Sequence, residues 1–188
     1  MKQFTVLTAL AVLALTTQVQ AEDIKSGLQP GKPVGAFNVT KCAGAEEDGV
    51  KVGANLCYRC KNGARPQVMV FTRSATDKNV LKLIQELDKA VAENSDKQLR
   101  AFVNVLGEDK EELSSTAKEL GQTSKTKNVP FVVPNEFENG PADYGLNADA
   151  EITIIVANKS KVTASHAAAK AKDLKVDAVL ADVKKLVE

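Results

Sequence analysis

Aromatic residues and histidine are scarce in this 188-residue chain, and tryptophan is absent. Aromatic side chains make up 4% of the sequence, which argues against a stacking platform for single-stranded nucleic acid. A single histidine excludes sites that need two, such as the HExxH metalloprotease type. Basic and acidic residues nearly balance, at 25 and 24, so no strong net field attracts nucleic acid or anionic lipid. The three cysteines remain as the residues best able to carry chemistry.

The N-terminus has the pattern of a secretory signal peptide. Lys2 supplies a positive charge, residues 4–15 are apolar, and Val19 and Ala21 give the small-residue pattern of a cleavage site. The apolar run is shorter than the roughly 20 residues that span a bilayer, which argues against the alternative of an uncleaved anchor. We therefore predict a signal peptide at 1–21 and one domain at 22–188, periplasmic or extracellular, with no membrane attachment after cleavage. Such compartments are oxidising, and disulfides persist there.

The rest of the chain has ordinary globular composition, with 44% hydrophobic and 26% charged residues. Apolar and β-branched runs predict strands, and helical spacing of apolar residues predicts helices. A hairpin is expected from residues 34–40 and 50–52. Further strands are expected at residues 67–71, 101–106, 129–133, 151–157 and 161–165, with a tight turn at Asn158 and Lys159.

Three helices are expected between and after these strands. The first begins at a cap provided by Thr76 or Asp77, and the second begins at Asp109 and ends at Gly121. The third has Val176, Val179, Val183 and Leu186 on one face. Pro130 should place its strand at a sheet edge or interrupt the ladder there. The order predicts an α/β protein with a mixed sheet, helices on both faces and an N-terminal β-hairpin, which is the thioredoxin-like fold class.

Several segments resemble the redoxins, the thioredoxin-like group that includes thiol-disulfide oxidoreductases and alkyl hydroperoxide reductase-type peroxiredoxins. Residues 31–39 (GKPVGAFNV) resemble the family's opening G-x-x-x-P-x-F segment, with the proline displaced. Residues 48–56 resemble its hairpin turn, and residues 144–146 (YGL) resemble the Y-G-V before its active-site proline strand. The resemblance covers nearly all of residues 22–188 and implies a thioredoxin-like fold.

The chain departs from that family where the family's catalysis takes place. The redoxin cysteine follows the first core strand, but residues 72–79 (TRSATDKN) contain none. The family's cis-proline position falls on Ala150, for which a trans peptide is expected because a non-proline cis bond costs about 2.5–4 kcal/mol. At the empty position, one interpretation is an anion site formed by Arg73, Ser74, Thr76 and Asp77 at the helix start. The other is that Thr76 or Asp77 simply caps the following helix.

Cys57 and Cys60 form a CxxC motif that precedes the core strand, and three interpretations compete. As a redox pair, they cycle between dithiol and disulfide, and the adjacent Arg59 favours the thiolate. Cys57 is then the expected nucleophile, as in the family, and Cys42 a possible resolving or partner thiol. As a structural bridge, any one of the pairings 42–57, 42–60 and 57–60 pins the loop. As a metal site, Cys42, Cys57, Cys60 and His166 provide a Cys₃His zinc set, which export disfavours.

His166 follows the last predicted strand, where it either acts as a ligand or proton shuttle or is a surface residue near a helix start. The leading prediction is thiol-disulfide redox activity in the cell envelope, with Cys57 and Cys60 as the couple and a protein thiol or disulfide as partner. No cofactor and no nucleic acid partner are expected. The alternative is a non-enzymatic binding or scaffold protein of the same fold with a structural disulfide.

Overall fold

The computed structural model describes residues 24–188, so the predicted signal peptide lies outside the described residues. Seven strands and four α-helices follow in chain order. The strands are β1 (Val39–Ala43), β2 (Asn55–Leu56), β3 (Gln67–Thr72), β4 (Arg100–Val105), β5 (Phe131–Pro134), β6 (Ile152–Asn158) and β7 (Lys161–Ala168). The helices are α1 (Tyr58–Asn62), α2 (Lys78–Glu93), α3 (Lys110–Ser124) and α4 (Val176–Val187).

All seven strands join one mixed sheet in the order β2-β1-β5-β4-β3-β6-β7. The strands β3, β4 and β5 run parallel, while β6 and β7 are antiparallel additions on one side. On the other side, β1 pairs antiparallel with both β5 and β2, which confirms the predicted N-terminal hairpin. The mixed sheet and the thioredoxin-like order of elements are therefore as the sequence predicted.

The long helices share one face of the sheet. The chain steps from β3 to β4 to β5 in one direction, and right-handed crossovers then place α2 and α3 on the same side. Apolar residues of α2, α3 and α4 pack there against one face of the parallel strands in a single buried cluster. Each of these helices presents an apolar stripe at helical spacing, such as Val176, Val179 and Val183 in α4.

The opposite face is covered by thinner elements. Its core is built from aromatic and branched side chains of the strands, of the segment before β1, of α1 and of a short 3-10 turn at Ala142–Tyr144. Phe37 makes an edge-on contact with Tyr144 at a ring-centroid distance of 4.9 Å. Helices thus lie on both faces, with α1 the α-helix of this second face among residues 24–188. No helix in this part of the chain is both long and apolar enough to cross a bilayer.

Helix starts agree with the capping predictions. Asp77 caps α2 by accepting a hydrogen bond from the backbone of Asn79 at 2.7 Å. Asp109 caps α3 by accepting from the backbones of Glu111 and Glu112. Both carboxylates satisfy N–H groups that have no partner within their own helix.

The predicted hairpin strands are displaced along the chain. The first is β1, which begins at Val39 and continues past residue 40 to Ala43. Its partner is β2 at Asn55–Leu56, whereas residues 50–52, the predicted strand, form a loop with Val52 exposed. Lys41 accounts for this loop, because its buried ammonium group holds the backbone of Val50 in place.

The predicted helix end at Gly121 was wrong, and of the two alternatives predicted for Pro130 one agrees with the structure. Helix α3 continues through Gly121 to Ser124, and Lys125 makes the left-handed turn that ends it. A Cβ at Gly121 would lie 2.9 Å from the Cβ of Ala43, so the glycine permits close packing of the helix on β1. Strand β5 is an interior strand between β1 and β4 rather than an edge, but its pairing begins at Phe131, so the ladder is interrupted at Pro130 as the second alternative predicted.

The C-terminal hairpin differs from the prediction by one residue at the turn and three at the end. Lys159 and Ser160 both have positive φ and form the two-residue turn, while Asn158 still belongs to β6. Strand β7 continues to Ala168, so His166 lies within that strand rather than after it.

Candidate functional site

The CxxC motif lies where β2 passes into the short helix α1. Cys57 and Cys60 form a disulfide across the first turn, with Cα atoms 5.2 Å apart. The Sγ of Cys57 also accepts a hydrogen bond from the backbone N–H of Cys60 at 3.0 Å. The predicted pair is therefore brought together as a disulfide, and the pairings 42–57 and 42–60 are not the ones observed.

The two sulfur-bearing residues differ in exposure. Cys60 is exposed, whereas Cys57 is half-buried at the start of α1. An approaching thiolate must contact a disulfide sulfur directly in order to displace the other one. The exposed residue of this pair is therefore Cys60, the second cysteine of the motif.

Tyr58 anchors the motif to the sheet. Its ring is buried and stacks on Phe102 of β4 at a centroid distance of 5.7 Å. Its hydroxyl donates to Asp48 Oδ2 at 2.5 Å. Burial, together with this carboxylate, raises the pKa of Tyr58 above its ordinary range, so the phenol keeps its proton. Because Tyr58 adjoins Cys57, this anchor fixes the direction in which the CxxC turn leaves the core.

A buried lysine supports that anchor from β1. The Nζ atom of Lys41 donates to Asp48 Oδ1 and to the carbonyl of Ala45, each at 2.8 Å, and to the carbonyl of Val50 at 2.9 Å. Its ammonium group therefore has three acceptors, which a buried charge requires. This network was not among the features predicted from the sequence. Its sequence signal is the lysine next to Cys42 in a strand, with an aspartate seven residues further on in the hairpin loop.

Arg59 lies on the inner side of the motif. Burial raises the pKa of Tyr144, and the charge of Arg59 acts in the opposite direction, so the guanidinium group lies near that phenol. The Nε of Arg59 is buried and has no hydrogen-bond partner among residues 24–188. Its predicted effect on the sulfur atoms stays a prediction.

Cys42 is separated from the disulfide. It is buried in the helix-side core, and its thiol donates to the carbonyl of Thr40 at 3.5 Å. Val39 pairs with Leu56, so Cys57 stands beside residue 38, four residues along β1 from Cys42. That separation corresponds to about 13 Å along the strand. The structure therefore does not bring Cys42 within reach of the pair, and the predicted role as a resolving thiol has no geometric support.

His166 lies near the opposite edge of the sheet. Five strand-to-strand steps separate β1, which carries Cys42, from β7, which carries His166. At strand spacing this is about 24 Å, far beyond the reach of one metal ion. His166 Nε2 instead lies 3.0 Å from Asp182 Oδ2 of α4. The alternative Cys₃His zinc site is therefore wrong as a set of residues, since Cys57 and Cys60 are also bonded to each other.

Comparison with known proteins rests on structure alone. No protein-family model and no curated protein matches the sequence. A solved structure described as a thiol:disulfide interchange protein DsbE from Chlorobium tepidum superimposes with a TM-score of 0.60 at 13% identity, covering 86% of this chain and 99% of that one. Mycobacterium tuberculosis AhpC gives a TM-score of 0.59 at 15% identity, with the same coverage of both chains. A solution structure described as a protein disulfide isomerase from Bacteroides thetaiotaomicron gives 0.56 at 13% identity, covering 86% of this chain and 92% of that one.

The fold is thioredoxin-like. The Cys57–Cys60 disulfide stands at a different place in the chain from the cysteine of the redoxins that the sequence resembles. The family's cysteine position follows β3, where Thr72 pairs with the first residue of β6. The CxxC motif precedes β3, and the turn after α1 is bound to the β6–β7 turn, with Lys159 N donating to the carbonyl of Ala64. Through β1, Leu56 lies level with Pro134 at the end of β5, so the CxxC turn starts beside β2, four strands across the sheet from the end of β3.

The usual redoxin position is occupied by structural contacts here. Asp77 caps α2, which favours the capping interpretation over the anion site because a carboxylate already fills the helix start. Arg73 donates through Nη1 to the carbonyl of Glu138, and its burial lowers the pKa of its guanidinium. Ala150 has a trans peptide, as expected. This thioredoxin-like chain thus carries its disulfide before β3, whereas the cysteine position of the redoxins that the sequence resembles follows β3.

Proposed function

We propose that this protein is an exported thiol-disulfide oxidoreductase whose redox couple is Cys57 and Cys60. The observation that supports the proposal is a disulfide within a CxxC turn. Cys60 of this turn is exposed, and Tyr58, the residue after Cys57, anchors the turn to the core. The solved structures described as thiol:disulfide interchange and disulfide isomerase proteins share the fold, which adds to the argument.

The reaction is a two-step thiol-disulfide exchange. A partner thiolate attacks Sγ of Cys60, a new S–S bond forms to the partner, and the Cys57–Cys60 bond breaks. Cys57 leaves as a thiolate, which the N–H group of Cys60 stabilises. A second partner thiolate then attacks the partner sulfur and releases Cys60. Two electrons pass from two partner thiols to the protein disulfide, and the two protons pass to Cys57 and Cys60. The reverse sequence reduces a partner disulfide.

The order of attack in this scheme differs from the family pattern, in which the first cysteine reacts. The greater exposure of Cys60 favours the second cysteine. The variants Cys57→Ser and Cys60→Ser distinguish the two orders, because the reacting cysteine retains a partner as a stable mixed disulfide when the other is replaced. We expect trapped partners with Cys57→Ser and few with Cys60→Ser. Trapping only with Cys60→Ser would restore Cys57 as the reacting cysteine.

The reduction potential of the couple tests the proposal. We expect equilibration with glutathione or dithiothreitol redox buffers under native conditions, at a potential above about −300 mV, the approximate boundary of structural bridges. The variant Cys42→Ala serves as the control and should show the same potential. If the Cys57–Cys60 disulfide stays oxidised in these buffers until the protein unfolds, the proposal is wrong.

That outcome would favour the second candidate, a non-enzymatic binding or scaffold protein with a structural disulfide. One observation supports it, since the position of the family's cysteine after β3 holds no cysteine and is filled by the Asp77 cap. In that case reduction of the bridge should lower the free energy of unfolding, and the protein should show no thiol-exchange activity.

Export is part of the proposal and has a separate test. If the signal peptide is removed after Ala21, N-terminal sequencing of the protein from the cell envelope or medium begins at Glu22. A protein recovered with Met1 or Lys2 at its terminus would contradict cleavage.

A further inference from the structure

Basic residues collect immediately beyond the exposed cysteine. A shallow surface cavity, largely open to solvent, begins at the residue after Cys60. Three basic side chains, Lys61, Arg65 and Lys97, line it together with polar and small residues, and no acidic residue does so. All three basic residues are exposed. Because the cavity is open to solvent, an extended peptide can lie across it.

Positive charge is concentrated in this part of the chain, although the chain as a whole is nearly neutral. Basic and acidic residues nearly balance overall, yet from Gly49 to Thr76 there are five basic residues and no acidic one. The carboxylate nearest to a lining lysine is Asp96, whose Oδ2 lies 3.7 Å from Lys97 Nζ, and its side chain is 71% exposed. One solvated carboxylate facing three cations leaves the cavity with a positive potential.

The cavity is joined to the disulfide by backbone contacts. Gly63 of the cavity wall donates its N–H to the carbonyl of Cys60 at 3.1 Å. Arg65 donates through Nη1 to the carbonyl of Lys61 at 3.1 Å and through Nε to Gln98 Oε1 at 2.8 Å. These two bonds hold the guanidinium group at the wall. Less side-chain conformational entropy is therefore lost when an anion binds there.

From this juxtaposition we propose that the redox couple reacts preferentially with peptide thiols whose cysteine is flanked by carboxylates, with Lys61, Arg65 and Lys97 binding the carboxylates beside Cys60. This proposal rests on the thiol-disulfide exchange proposed above. The exchange itself is unchanged: the partner thiolate bonds to Cys60 Sγ, Cys57 leaves as a thiolate, and a second partner thiolate completes the two-electron transfer. The cavity adds selection by charge, because a partner with neighbouring carboxylates is drawn to the basic residues that begin next to Cys60 in the chain.

The experiment compares rates of disulfide reduction by two peptides of the same shape, acetyl-Glu-Cys-Glu-amide and acetyl-Gln-Cys-Gln-amide. The quantity of interest is the ratio of their second-order rate constants in each protein, because the intrinsic reactivity of each peptide cancels when proteins are compared. Alkylation quench followed by mass spectrometry gives the rates. Glutathione is the third thiol tested. It distinguishes an acidic tripeptide with free termini from the capped peptides, which represent a cysteine within a chain.

The matched variants each remove two positive charges. Lys61→Gln with Lys97→Gln removes charges from the cavity, whereas Lys82→Gln with Lys184→Gln removes exposed charges from α2 and α4 on the helix-covered face. We expect the Glu-to-Gln peptide ratio to fall about fivefold in the cavity variant, from two exposed charge pairs. It should stay unchanged in the control variant and decrease in native protein at 1 M salt.

Two failures are distinguishable. If the disulfide exchanges with all thiols but the peptide ratio is the same in both variants, the exchange function stands and the charge selection is wrong. If the native disulfide reacts with none of the thiols, the exchange function itself is wrong. A fast glutathione reaction that depends on the cavity lysines, without such dependence for the Glu peptide, would overturn the assignment to flanked peptide cysteines.

Discussion

Lys41 Nζ lies 2.8 Å from Asp48 Oδ1, and the lysine side chain is only 1% exposed. The same carboxylate accepts a hydrogen bond from the hydroxyl of Tyr58 through its other oxygen. A charge on β1 therefore supports the residue next to Cys57, and the hairpin loop is the connection between them. The geometry of the CxxC turn depends on a residue that belongs to no catalytic motif.

Replacement of Lys41 by methionine should destabilise the protein by about 3 kcal/mol. The variant leaves Asp48 as a part-buried carboxylate without its cation, and breaking one half of a buried pair is costly. Urea unfolding at neutral pH measures the change. Lys51→Met, at an exposed position of the same loop, is the control and should change the free energy of unfolding by less than about 0.5 kcal/mol. Equal effects from the two variants would contradict the buried network.

The thiol of Cys42 should resist alkylation in the folded protein. Burial raises its pKa, so little thiolate forms at neutral pH, and the side chain lies in the helix-side core. We expect iodoacetamide to modify Cys42 slowly under native conditions and rapidly in denaturant, measured by mass spectrometry of the oxidised protein. Rapid native labelling would show that Cys42 reaches the surface and would revive its predicted role as a partner thiol.

Glu151 should make the protein more stable above its titration range than below it. The N–H of Ala171 and the ammonium group of Lys170 hold the pKa of this carboxyl below its ordinary value of 4.5. A lowered folded-state pKa contributes stability at higher pH, and that contribution is lost as the pH falls from the ordinary value through the lowered one. We therefore expect Glu151→Gln to lower the free energy of unfolding by about 1 kcal/mol at pH 7.

The loss should shrink at pH 3, where the native carboxyl also gains protons, and urea unfolding at both pH values tests it. Glu119→Gln, at an exposed position of α3, gives the baseline for a change of the same chemistry. A loss that is equally large at pH 3 and pH 7 would mean that the negative charge of Glu151 contributes nothing.

His166→Gln should leave the rate of disulfide exchange unchanged. The imidazole is paired with Asp182 at the far side of the sheet, so it has no route to the sulfur atoms. Stopped-flow measurement of disulfide reduction by dithiothreitol, in native and variant protein, provides the comparison. A rate that falls tenfold with native-like stability would require a role in proton transfer that the structure does not show.

The sequence predicted most of the fold because its strongest patterns come from packing. The apolar run of β3 and the 3.6-residue stripes of α2 and α4 are set by burial, and the Asp77 and Asp109 caps are local chemistry. The failures have tertiary causes. Gly121 looks like a helix end but serves a close approach to Ala43, and the loop after β1 is shaped by the buried amine of Lys41.

The site was predictable only in part, for the same reason. The CxxC motif identifies Cys57 and Cys60 by local spacing, and the observed disulfide joins them. The position of Cys42 on the other face follows from strand alternation and register, which a single sequence does not display. The Lys41–Asp48–Tyr58 connection and the basic cavity join residues across loops, so the sequence shows the residue types but not the contacts between them.

The short helix α1, which covers part of the aromatic face of the sheet, links the disulfide to the packing of that face. Tyr58 belongs both to the CxxC turn and to the packing on Phe102, so forming the bridge and docking α1 are linked equilibria. The more firmly α1 is docked, the higher the effective concentration of one sulfur for the other, and the harder the bridge is to reduce. A partner that separates Tyr58 from Phe102 would therefore make the disulfide easier to reduce without donating an electron. The reduction potential then depends on the free energy with which α1 packs on the sheet.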